Sequence, residues 1–148
     1  MKARIRFWSQ QHATDCAPVA VLNLFRWFGK RINMRDDYAL IKAACGWSLK
    51  YGTPHRNLAR VLRGFQHCFQ CHHPRTATAE SIRVFLHGRN TAVILSYRLR
   101  HTSAGHTCLL VRDYRGVLTC INGDGLALSR CLKKCGPGFP SAWFLTRK

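Results

Sequence analysis

The hydrophobic pattern of this chain changes period once, and that change limits its fold more than any other feature. Up to Leu86 the apolar residues recur at helical spacing; from Thr91 onward they come in short, β-branched runs separated by turn residues. The first helix is predicted from about Cys16 to Phe28, with Thr14 and Asp15 as caps, Pro18 tolerated in the first turn and Gly29 at its end. A second is predicted from about Asp36 to Cys45, closed by Gly46. A third begins after Thr53 and Pro54, presents Leu58, Val61 and Leu62 on one face, and stops at Gly64. A fourth opens near Thr78 and carries Ile82, Phe85 and Leu86. Thr91–Tyr97, His106–Arg112 and Val117–Ile121 read as antiparallel strands, with Ala142–Thr146 as the closing strand. Helices first and strands afterwards predict an α+β domain, its N-terminal helical half packed on a C-terminal antiparallel sheet.

At 148 residues and 47% hydrophobic residues, the chain suits a single domain, 1–148, with a core of its own. Asn23 and Arg26 interrupt the best apolar stretch, so no segment is expected to cross a bilayer and no membrane partner is expected. Met1-Lys2-Ala3-Arg4 resembles the start of a signal peptide only superficially. Polar residues from Ser9 to Asp15 break the apolar stretch behind it, and a cytoplasmic protein is expected. Eight cysteines in that setting are expected to be mostly reduced core residues, with Cys45, Cys108 and Cys120 in apolar surroundings. Twenty-four Lys and Arg stand against six Asp and Glu, spread from Lys2 to Lys148. Such a field attracts polyanions, so non-specific affinity for nucleic acid or an acidic protein is expected, without base-specific recognition. Compactness, basicity and the missing export signal would suit a phage or mobile-element protein.

One segment carries chemistry. Gln10-Gln11-His12-Ala13-Thr14-Asp15-Cys16-Ala17-Pro18 puts a cysteine where a loop becomes a helix. The partial positive charge at a helix N-terminus favours thiolate, the nucleophilic form of the side chain. Gly105-His106-Thr107, opening a predicted strand, supplies a base for it.

The order of Gln, Cys at a helix start, His on a strand, then Asn or Asp after the next strand resembles papain-like cysteine peptidases. More narrowly it is similar to the C39 family of bacteriocin-processing peptidases and their C39-like relatives. That family carries a glutamine six residues before the nucleophile, in a Q-x5-C-G-P-A-A pattern, and Gln10 and Cys16 keep this spacing with Ala17 in place of glycine. Its histidine begins a strand, as His106 does, and its third residue comes after the next strand. Here Asn122 stands sixteen residues after His106, in place of the family's usual Asp, with Asp124 as the fallback. The resemblance implies a papain-like fold and a peptidase that needs no cofactor and takes a peptide or protein substrate. Cys16 would be the nucleophile, His106 the general base and acid, Asn122 the orienting residue, and Gln10 an oxyanion donor beside the Cys16 N–H.

Other readings compete. A catalytically silent scaffold of the same kind, binding nucleic acid or an acidic protein through its charge, is the chief rival. His67-Cys68-Phe69-Gln70-Cys71-His72-His73 holds half of a zinc site, with Cys131 and Cys135 as the other half; the alternation around Cys68 is also that of a plain strand, and no metal is expected. Arg83, Arg89, Arg98, Arg100 and Arg112, with Tyr97 and Tyr114, suggest a basic aromatic face suited to single-stranded nucleic acid.

Overall fold

The computed structural model describes residues 5–75, 77–98, 105–121 and 141–148. Among the described residues four helices and five strands run in the order α1 (Cys16–Trp27), α2 (Met34–Ala44), α3 (His55–Gly64), β1 (Phe69–His72), α4 (Ala79–Phe85), β2 (Thr91–Arg98), β3 (Gly105–Arg112), β4 (Leu118–Ile121) and β5 (Ser141–Arg147). The architecture is α+β, with helices toward the N-terminus and an antiparallel sheet toward the C-terminus. The strands lie in the order β1-β5-β2-β3-β4, every neighbouring pair antiparallel. β5, the last strand in sequence, therefore sits inside the sheet. No helix among the described residues is long and apolar enough to cross a membrane.

α1 is the central helix. Its residues from Ala17 to Phe25 are all buried, which an amphipathic surface helix would not show, because β3 lies against one side and α2 against another. Val19, Leu22 and Leu24 pack with Leu58 and Leu62 of α3 and with Ile94, Leu109, Val111 and Trp143 of the sheet. Each fully buried aliphatic side chain contributes roughly 1.5–3 kcal/mol to stability. The other face of the sheet carries a second core, in which Val93, Leu95, Cys108, Leu110 and Phe144 pack under Ile82 of α4 and the following Leu86. Strand alternation explains the division: Leu109 and Val111 face α1, whereas Cys108 and Leu110 face α4. Tyr97 belongs to this second core and is buried, so its place on an exposed aromatic face is corrected. Cys45, Cys108 and Cys120 are buried, as expected.

Asn23, the polar break in the apolar run, is buried on α1. Its amide accepts from the Trp8 backbone N–H at 2.8 Å and donates to the Trp8 carbonyl at 3.1 Å, fastening the segment ahead of the helix to it. α2 begins two residues before its expected start, because Asn33 caps it by accepting from the N–H groups of Arg35 and Asp36.

Candidate active site

Cys16 opens α1, and its sulfur is half-buried against the start of β3. There it is hydrogen-bonded to the His106 side chain and to the backbone and hydroxyl of Thr107. Successive strand residues point to opposite faces, so a sulfur touching both lies across the end of the strand rather than over one face. Burial pushes the Cys16 thiol up, but the hydrogen bond and positive charge of His106, with the Thr107 bonds, outweigh it. The thiol ends below its ordinary value of 9.0. Other cysteines move the opposite way. Burial raises Cys45 to about 12 against a weaker pull from Thr53, and raises Cys71 despite the nearby charge of Arg63.

The imidazole is held in place from β2. Tyr97 stands directly across from His106 in the β2–β3 register, and the two rings meet edge-to-face at 5.5 Å. The Thr107 hydroxyl shares a 2.7 Å hydrogen bond with Ser96, its own cross-strand partner, which fixes the oxygen that touches the sulfur.

The loop before Cys16 is clamped by the α2–α3 connection. Trp47 Nε1 donates to the Thr14 carbonyl at 3.1 Å, and the Thr14 hydroxyl donates to the Leu49 carbonyl at 2.9 Å. Gly52 closes the clamp: it has a left-handed φ of 68°, and a Cβ there would lie 3.1 Å from the Thr14 carbonyl oxygen. Thr14 is thus not a helix cap, which corrects that part of the sequence reading. Asp15 occupies the N-cap position but makes no capping hydrogen bond. Its fully buried carboxylate accepts from the Gln11 N–H at 3.1 Å and from the Tyr38 hydroxyl, joining the loop to α2. Burial first, and the adjacent carboxylate second, push the Tyr38 phenol well above its ordinary 10.0, so it remains a donor. Asp15 Oδ1 is buried with no hydrogen-bond partner among the described residues.

Of the expected site residues, Cys16 and His106 are in contact. Gln10 lies on the same loop, with its amide nitrogen donating to the His12 carbonyl at 3.1 Å. Asn122 and Asp124 lie outside the described residues, beyond the end of β4 at Ile121. Thr107, Ser96, Tyr97 and the Asp15–Tyr38 pair were not anticipated. Only Thr107, next to the histidine, had a sequence signal that could have drawn notice.

The Cys68–His73 segment forms β1 and its exit, with Cys71 paired to Leu145 of β5. Cys131 and Cys135 lie outside the described residues. Among those described, no group of three or more His, Cys, Asp or Glu converges where a metal could bind. Arg83 is exposed on α4, while Arg100 and the side chain of Arg98 lie outside the described part of the chain. Compared with known protein families and with curated proteins, the chain matches none.

Proposed function

We propose that this protein is a thiol hydrolase of the papain-like, C39-like kind, cleaving a peptide or amide bond through Cys16 and His106. The observation that carries the reading is the Cys16–His106 contact at a helix N-terminus, with the thiol lowered against its burial. A cysteine serving only to pack is raised by burial, as Cys45 is.

His106 takes the proton from Cys16, and the thiolate attacks the substrate carbonyl carbon. The charge that develops on the carbonyl oxygen is met by the Cys16 backbone N–H, unpaired within the helix, and by the Gln10 amide, which keeps one hydrogen after bonding His12. The C–N bond breaks as imidazolium protonates the departing amine, leaving an acyl thioester on Cys16. A water molecule, deprotonated by His106, then attacks the thioester, and the thiolate leaves with the proton returned to the pair. Asn122 is assigned the orienting role at the other ring nitrogen, with Asp124 as the alternative. The Cys16 thiol and its imidazole are complete without a metal or cofactor in this scheme.

Iodoacetamide alkylation followed by peptide mass mapping tests the assignment. Cys16 is expected to label first, with a rate half-maximal below pH 9, and His106→Ala is expected to move that midpoint upward. Labelling that falls first on another cysteine, or a midpoint indifferent to His106, would refute the proposal.

A further inference from the structure

A cleft of about 870 Å³ opens at the far end of α1 and β3 from the thiol. Ligand sites typically measure roughly 300–1,000 Å³. α1 (Cys16–Trp27) and β3 (Gly105–Arg112, with His106 second) run in the same direction, so both elements have one end at each place. At 1.5 Å per helical residue and about 3.3 Å per strand residue, the separation is roughly 17–20 Å. The cleft is therefore a second site, and its chemistry stands independently of the thiol.

Its walls combine two chemistries. Arg89, Arg112 and Arg147 bring positive charge, while Phe7, Trp27 and Tyr114 bring ring faces. Arg112 is fixed in advance: Nε donates to the Leu86 carbonyl at 3.2 Å, Nη1 donates to the Gly116 carbonyl at 2.7 Å, and Nη2 lies 3.2 Å from His87 Nε2. Among the described residues no carboxylate pairs with Arg89 or Arg147. Asp113, the one acidic side chain lining the cleft among the described residues, is engaged in its own turn, accepting from the Arg115 and Val117 N–H groups at 2.8 and 2.9 Å. Trp27 is likewise set, its indole N–H donating to the Thr91 carbonyl at 2.9 Å and its ring 6.3 Å from Phe7. The negative end of the α1 dipole points this way and opposes an anion. Its last carbonyls, however, already accept from Phe28, Gly29 and Lys30, and that partial charge is small beside three guanidinium groups.

Unpaired guanidinium groups interleaved with ring faces suit a ligand carrying both phosphates and flat bases. We propose that this cleft binds single-stranded nucleic acid, phosphates toward Arg89 and Arg147 and bases against the aromatic wall.

The test is fluorescence anisotropy with a labelled oligothymidylate across a salt series. Two charge-matched double variants are compared: R89E with R147E in the cleft, and R35E with R60E on the exposed faces of α2 and α3. Circular dichroism and thermal unfolding confirm that both fold. The cleft variant is expected to bind about tenfold or more weakly and to lose about two from the slope of log K against log salt. The control variant should change by less than about threefold, the effect of net charge alone. An abasic oligomer of equal length should bind about tenfold more weakly, since stacking is worth that much per base or more. Equal loss in the two variants, or equal binding of the abasic strand, would show attraction by overall charge and overturn the proposal. Thymidine monophosphate displacing the oligomer at equimolar concentration would identify a mononucleotide site instead, and would overturn it too.

Discussion

Asp15 and Cys16, adjacent in the chain, face opposite demands. In the proposed mechanism the thiol needs a base and access to substrate, whereas the carboxylate is shut in the core and depends on the Tyr38 hydroxyl and the Gln11 N–H. Tyr38→Phe removes the only side-chain donor to that carboxylate among the described residues. It is expected to destabilise the fold by about 2–3 kcal/mol, read from the urea unfolding midpoint, because a buried acceptor loses one of its donors. A merely packed Tyr38 would give a loss under about 1 kcal/mol on removal of its hydroxyl. Residues of this kind differ in how well they can be read. Cys16 and His106 are residue types with recognisable chemistry, and their settings, at a helix start and a strand start, mark them in the sequence. Asp15 before an apolar run reads as a cap, because its true partner lies 23 residues away on another helix.

The elements were legible wherever periodicity sets them. α1, α3 and the strands from Thr91 to Ile121 fall within a residue or two of their expected bounds, since Leu58, Val61 and Leu62, or the β-branched runs, reveal the buried face. β1 was not legible as part of the sheet. The alternation around Cys68 already reads as that of a plain strand, but four residues, of which Phe69 alone is fully buried, do not reveal their pairing with β5. Contacts between loops were also hidden, the clamp on the loop before Cys16 above all. Gly52→Ala would combine a left-handed backbone with a Cβ crowding the Thr14 carbonyl. It should cost about 1–3 kcal/mol of stability. It should also slow alkylation of Cys16 relative to wild type at one pH, since Thr14 lies two residues before the thiol. A stability loss with unchanged thiol reactivity would show that the clamp supports folding without positioning the sulfur.

On the scale of the whole molecule, charge was the plainest sequence signal, yet only coordinates show which arginines share a cleft with aromatic rings. Arg89, Arg112 and Tyr114 were in the expected face; Phe7, Trp27 and Arg147 joined them from distant segments, and Tyr97 left it for the core. Protonation gives the fold a further whole-molecule property. His55 and His73 both pack on Trp143, with ring centroids 5.1 and 4.7 Å away. Burial lowers both from the ordinary 6.5, and the charges of His55, Arg63 and His72 lower His73 further. The unfolded chain therefore binds more protons than the folded one between 6.5 and the lower folded values. Stability from these groups is fully present above about 6.5 and is lost as pH falls through that window. The urea midpoint should drop between about pH 7.5 and pH 5, and replacing both histidines by Gln should flatten that drop. An unaltered slope in the double variant would assign the acid sensitivity to other groups.

The interior position of β5 also bears on how the molecule comes to be assembled. β2 and β1 can reach each other only through a strand that a ribosome makes after both, so a nascent chain stopped short of residue 141 carries an open edge along Thr91–Ser96. Exposed backbone of that kind templates intermolecular pairing, and a truncated product of this gene would aggregate where the finished one folds.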